Sequence, residues 1–217
     1  MGPRLLCNGS QRKVVCSLGP AKKIRVDSFH FEEDKQRLAF ADMLAKLALS
    51  EYTGFDAEHI SLGTHSNGKP YAIGLPAEFN ISHSGELIAC AVDSKRVGID
   101  VERIRPIPAK LVYRVCSEQE YAYIWGNTPV DKQSILTDRH ILERFYQIWT
   151  AKEAYTKYTG TGLATDLQQI PITKEQILTT VYGEYVISIC CNLSRANNSN
   201  PLCDEIWTFY QELSIES

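Results

Sequence analysis

The chain has 217 residues, 44% of them hydrophobic and 23% charged, and its 26 acidic against 23 basic side chains leave a net charge of −3. That balance suits a globular protein with one sizeable core or two small ones and gives no general attraction for a nucleic acid. No apolar run approaches the roughly 18 residues of a membrane span, and the first ten residues carry no secretory block, so a cytoplasmic protein without membrane association is expected.

Arg4, Arg12, Lys13, Lys22, Lys23 and Arg25 all precede the first acidic residue, Asp27. A basic opening in a mildly acidic chain suits either an anionic ligand nearby or a solvated tail. The stretch RLLCNGSQRKVVCSLGP (residues 4–20) has few alternating apolar positions and predicts no regular opening strand. Over residues 31–50, Leu38, Ala41, Leu44, Ala45 and Ala48 recur at helical spacing, with Glu32, Glu33 and Asp34 in the first turn where the helix dipole favours acids. A strand at 59–64, a Ser66-Asn67-Gly68 turn and extended segments at 79–84, 86–93 and 96–103 follow, enough for a small antiparallel sheet.

Pro106 and Pro108 interrupt the chain near its midpoint and divide it into residues 1–104 and 105–217. Ser117 and Glu120 form an S-x-x-E capping box opening a helix through Trp125. A looser stretch (126–137) leads to a long helix over 138–158 that ends at Gly160. Segments 167–172, 180–193 and 205–213 read as strands, the second turned or bent at Gly183, with a polar loop at 195–201. The second half thus repeats the helix-then-strands order of the first. The expected fold class is α+β, built as two similar lobes, each a small antiparallel sheet with a long helix, and a ligand cleft between them.

The seven cysteines show neither C-x-x-C pairs nor zinc spacing. Cys90 in LIACAV and Cys190 in VISICC lie in apolar strand-like runs, which predicts buried free thiols in a reducing compartment.

Two segments carry the chemistry. In VGIDVE (residues 97–102), an extended strand turns Asp100 and Glu102 to one face while Ile99 and Val101 point into the core. In WTAKEAYTK (residues 149–157), a helix sets Glu153 and Lys157 on one face, with Phe145, Ile148 and Trp149 packing it. Three carboxylates beside a lysine suit a magnesium ion gripping a pyrophosphate, because Mg²⁺ favours a few carboxylates, several waters and phosphate oxygens over a closed protein cage. Taken separately, each segment reads equally as a solvated strand rim or a salt-bridged helix surface.

The order NISHSG (residues 80–85), VGIDVE, WTAKEAYTK resembles the signature of the phosphopantetheinyl transferases, of the larger, two-lobed type that activates peptide and polyketide synthetases, and the resemblance is dense over residues 29–163. It implies pseudo-twofold lobes and transfer of the 4′-phosphopantetheine arm of coenzyme A to a serine of an acyl or peptidyl carrier protein, releasing adenosine 3′,5′-bisphosphate. Asp100, Glu102 and Glu153 match the family's magnesium positions, with Mn²⁺ as an alternative ion. Glu153, or a metal-bound water beside it, stands as the base, and Lys157 steadies the leaving phosphate. Lys152, its neighbour in the K-E pair, joins the catalytic set with its role open. Ser82 and His83 match residues that contact the coenzyme phosphates, Lys69 a lysine near the adenine and ribose, and Lys22, Arg25 and Arg37 cations directed at phosphate, the first two at the ribose 3′-phosphate. Leu38 departs from the pattern, since relatives often carry a hydroxyl after that arginine. Gly160 and Gly162 resemble the family's helix-ending loop; phosphate-cradling glycines precede a helix.

The resemblance also implies a monomer, because one chain supplies both sides of the cleft. Two other readings use the same residues. One is a metal-dependent hydrolase of nucleotides or pyrophosphates with water as nucleophile, and the other is an inactive coenzyme A-binding module.

Overall fold

A computed structural model describes residues 4–9, 12–20, 33–66, 68–126, 131–161, 166–170 and 177–192, with backbone alone for 4–20 and 33–38 within those spans. Strands β1 (Arg4–Gly9) and β2 (Arg12–Pro20) form an antiparallel hairpin. That corrects the expectation of no opening strand. β2 gains its second neighbour from β6 (Leu87–Asp93), to which it pairs with Val15 opposite Val92, so its poor apolar alternation is compensated by a central position. β5 (Glu78–Ser84) pairs with the other side of β6, giving a four-stranded sheet of order β1-β2-β6-β5.

α1 (Glu33–Thr53) runs slightly beyond the predicted helix and lays Ala41, Leu44, Ala45, Ala48 and Leu49 on Phe79, Ile88, Cys90 and Val92. Those positions follow the helical repeat and bury one stripe against the sheet, where each fully buried leucine side chain contributes about 1.5–3 kcal/mol before entropy. After α1 the chain makes a 3₁₀ turn at Ala57–His59, capped by the Asp56 carboxylate, which accepts from the Glu58 N–H at 3.2 Å. The predicted strand at 59–64 therefore shrinks to β3 (Leu62–Thr64), paired with β4 (Pro70–Ala72).

The alternation of β6 decides the layering. Ile88, Cys90 and Val92 face α1, while Leu87, Ala89 and Ala91 face a second core with Ile99, Val101, Ile187 and Ile189. This second core belongs to a three-stranded antiparallel sheet of order β10-β11-β7, made of β7 (Gly98–Arg103), β10 (Ile177–Tyr182) and β11 (Tyr185–Cys190). β10 and β11 form a hairpin, turning at Gly183 with φ of 58°. α4 (Arg139–Thr159) covers this sheet through Ala151 and Ala154 against Ile177 and Cys190. Cys90 and Cys190 are buried free thiols as expected.

Along the chain from β7 to α4 come β8 (Ile107–Pro108), α2 (Ala109–Val115), α3 (Glu118–Trp125) and β9 (Ile135–Leu136), which share a core with Leu142, Phe145 and Tyr146 of α4. The Ser117–Glu120 capping box is present on both sides. α2 escaped the sequence reading because the prolines looked like a break; Pro108 is instead its N-cap, and Ala109, Val112 and Val115 bury one face. The strand predicted at 167–172 is replaced by a 3₁₀ turn at Leu167–Gln169, begun by Asp166, whose carboxylate accepts from the Gln168 N–H. The strand predicted at 205–213 and the loop at 195–201 lie outside the described residues.

Candidate active site

β7 ends its sheet on one side, and β5 ends the other sheet. An edge strand leaves every second N–H without a ladder partner. Here the side chains of β5 fill that role. Asn80 Oδ1 accepts from the Ile99 N–H at 2.9 Å, Ser82 Oγ from Val101 at 3.2 Å and Ser84 Oγ from Arg103 at 3.0 Å. Three alternate residues of one strand thus meet three alternate amides of the other, joining two sheets by side chains in place of backbone pairing.

The two hydroxyls of this seam also donate. Ser82 Oγ donates to Asp100 Oδ1 at 2.9 Å, and Ser84 Oγ to Glu102 Oε2 at 2.7 Å. Asp100 and Glu102 share a face of β7 while Ile99 and Val101 are wholly buried, as the D-x-E spacing predicts. From α4, the Lys157 ammonium donates to Asp100 Oδ1 at 2.7 Å, Ser82 Oγ at 3.0 Å and the Ile99 carbonyl at 3.1 Å.

Close approach of α4 to β7 depends on Gly98. A Cβ there would run into the Ala154 carbonyl oxygen and lie 2.6 Å from the Tyr158 nitrogen. Only the missing side chain lets the helix backbone sit against the start of β7, with Glu153 and Lys157 beside Asp100.

Electrostatics reflect the crowding. Burial pushes the Asp100 carboxyl above the usual carboxylate range, opposed by the charge and hydrogen bond of Lys157 and by Ser82. Glu102 is raised by burial and by Asp100, with Ser84 acting against the shift. Glu153 is raised by burial, then by Asp100 and Glu102, with Lys157 opposing. Burial thus works against the charged form of all three carboxyls, and a cation placed among them would favour it.

The donor set fits a hard divalent cation such as Mg²⁺: it consists of carboxylate oxygens, and Asp100 Oδ2 is buried with no hydrogen-bond partner. Among the described residues, no three Asp, Glu, His or Cys side chains form a group placed to hold a metal ion. The ion would therefore draw part of its shell from waters and phosphate oxygens.

The other expected site residues are scattered. Ser82 sits at the centre of the seam, and its neighbour His83 is exposed. Lys69 lies at the β3–β4 turn, where its carbonyl accepts from the His65 N–H at 2.9 Å. Arg37 is on α1, in the part described by backbone only; Lys22 and Arg25 lie outside the described residues, as does Gly162. Gly160 ends α4 in the left-handed region with φ of 76°.

Lys152 corrects its expected place in the catalytic set. Its side chain is completely buried and donates to Glu120 at 2.6 Å and to the Val115 carbonyl at 3.0 Å, tying α4 to α2 and α3. One residue round the helix from Glu153 points it to the opposite task. Sequence reasoning missed Asn80, Ser84, Gly98 and Glu120 as determinants of the site. The polar alternation N-x-S-x-S, with Phe79 and Ile81 on the opposite face, was the signal for the first two.

Comparison with known proteins settles the kinship. The model of the 4′-phosphopantetheinyl transferase superfamily matches residues 96–192, and that of the 4′-phosphopantetheinyl transferase N-terminal region matches residues 10–95. A 4′-phosphopantetheinyl transferase of Bacillus subtilis is 35% identical over 170 residues, covering 78% of this chain and 72% of the relative. The chain belongs to the 4′-phosphopantetheinyl transferase superfamily. Further relatives are the transferase Sfp of Bacillus subtilis strain 168, 31% identical over 80% of this chain and 74% of its own length, and the transferase HetI of Nostoc, 31% identical over 73% and 66%. None of these transferases favours the hydrolase or the inactive binding module. No described helix is long and apolar enough to cross a membrane.

Proposed function

We propose that this transferase moves the 4′-phosphopantetheine arm of coenzyme A onto a serine hydroxyl of an acyl or peptidyl carrier protein, using Mg²⁺. Asp100, Glu102 and Glu153 would hold the ion, which supplies charge neutralisation to the pyrophosphate. The observation carrying this reading is that β7 and α4, distant in sequence, set Asp100, Glu102, Glu153 and the Lys157 ammonium near one another, with one buried Asp100 oxygen left without a partner.

The serine oxygen attacks the phosphorus that bears pantetheine, and the bond from that phosphorus to the bridging oxygen breaks, so adenosine 3′,5′-bisphosphate leaves. The serine proton passes to Glu153, which lies near Asp100 and Lys157 and acts as the general base. Lys157, whose three donors go to Asp100, Ser82 and the Ile99 carbonyl, would steady the leaving phosphate through its positive charge, or by giving up one of those bonds. His83, exposed beside the seam, would meet a coenzyme phosphate; Ser82 could do so only by loosening its bond to Asp100. Lys22, Arg25 and Arg37 would serve phosphate and Lys69 the adenine and ribose. Lys152 supports Glu153 by fixing α4.

The four-stranded sheet with α1 and the three-stranded sheet with α4 would be the two pseudo-twofold lobes, each with a 21-residue helix. The division expected at 104/105 then leaves β7 in the first segment of chain while its ladder bonds go to the second sheet. A cytoplasmic monomer completes the reading.

Incubation with coenzyme A, Mg²⁺ and an apo carrier protein, followed by mass spectrometry of the carrier, tests this directly. The expected result is a phosphopantetheine adduct on one serine that needs the divalent ion. Steady hydrolysis of coenzyme A without an adduct would overturn the assignment.

A further inference from the structure

The seam between β5 and β7 treats its two carboxylates unequally. Asp100 is held from two sides, by Ser82 of β5 and Lys157 of α4. Glu102 lies one step nearer the strand end and half-buried, and Ser84 is the hydroxyl that reaches it. The Ser84 hydroxyl accepts the Arg103 N–H at 3.0 Å, and this main-chain bond fixes where its lone pair points. Its single proton is thereby aimed at Glu102 Oε2, 2.7 Å away. Asn80, the third rung, accepts from Ile99 at 2.9 Å and is bonded to neither carboxylate, so the seam as such does not require a hydroxyl donor.

We infer that Ser84 is a positioning residue for this reaction: by bridging the Arg103 amide and the Glu102 carboxylate, it fixes the rotamer in which Glu102 is presented beside Asp100 and Glu153 to a divalent cation. The inference rests on the proposed ion-holding role of these carboxylates. A flexible glutamate on a strand end has three rotatable bonds, and ordering it only when the ion arrives costs affinity. A hydrogen bond from a group itself tied to backbone removes that cost in advance, which is how outer partners of metal ligands act.

The test uses the full chain with coenzyme A present and titrates Mn²⁺, following loss of the free-ion signal by electron paramagnetic resonance. Ser84→Ala should bind Mn²⁺ about 10-fold more weakly, at the low end of what losing an outer partner of a metal ligand costs. The Mg²⁺ concentration for half-maximal transfer should rise by a similar factor, while the KM for carrier protein stays within about twofold. Ser84→Thr, which keeps the oxygen and suits a strand, should restore both values. Ion affinity unchanged in Ser84→Ala, or equally poor in Ser84→Thr, would overturn the assignment of Ser84 alone. A wild-type chain that takes up no Mn²⁺ would instead overturn the ion-holding reading on which it stands.

Discussion

Two lysines five residues apart on α4 make the same kind of bond with opposite consequences. Lys152 meets Glu120, and Lys157 meets Asp100, at 2.6 and 2.7 Å. Around Lys152 the set of partners is closed: the same Glu120 oxygen also accepts the Ser117 N–H of the capping box at 2.7 Å, and the Val115 carbonyl takes a further ammonium proton. Around Lys157 it is open, because Asp100 keeps a buried oxygen without a partner and two more carboxyls crowd near it. An ion pair alone therefore marks neither structure nor function. What separates the two regions is whether the carboxylate beside the lysine keeps a buried oxygen without a partner.

The sharpest way to break this comparison is to remove the proposed base. Glu153→Gln should lower turnover by about 10²–10⁴ while coenzyme A affinity, measured by calorimetry, changes by no more than a few-fold, since the loss belongs to the transition state. Next comes Lys152→Met, which leaves Glu120 and the Val115 carbonyl without their buried cation. It should cost about 3–5 kcal/mol in urea unfolding. Lys157→Met should cost less stability, because Lys157 is partly exposed where Lys152 is fully buried, and should instead lower transfer.

The smallest effect is one of pH. Asp100, Glu102 and Glu153 all have folded-state values above their ordinary ones. For an acid raised on folding, the cost is fully present above the folded value and disappears as pH falls through it toward the ordinary carboxylate range. The melting temperature without divalent ion should therefore rise by a few degrees on mild acidification from neutral pH. Saturating Mg²⁺ should flatten that dependence.

Much of this was legible in the sequence because it depends on local period. The D-x-E face of β7, the Glu153–Lys157 face of α4, the Ser117–Glu120 box and the Gly160 stop follow from spacing within one element. What escaped depends on contacts between elements. That β2 completes a sheet with β6 is decided by pairing, against its weak alternation. Whether Lys152 faces ligand or core turns on the position of α3, which the K-E pair cannot reveal. Gly98 reads as a small residue opening a strand until a helix backbone is laid against it.

The central claim is that acids from β7 and α4 act on one cation. A crystal structure of the chain with coenzyme A and Mn²⁺, the ion located by its anomalous scattering, tests it most directly. The expected result is a single ion coordinated directly by oxygens of Asp100, Glu102 and Glu153, the remaining positions taken by water and pyrophosphate oxygens. An ion bound only through β7, with the Glu153 carboxylate turned away, would contradict it.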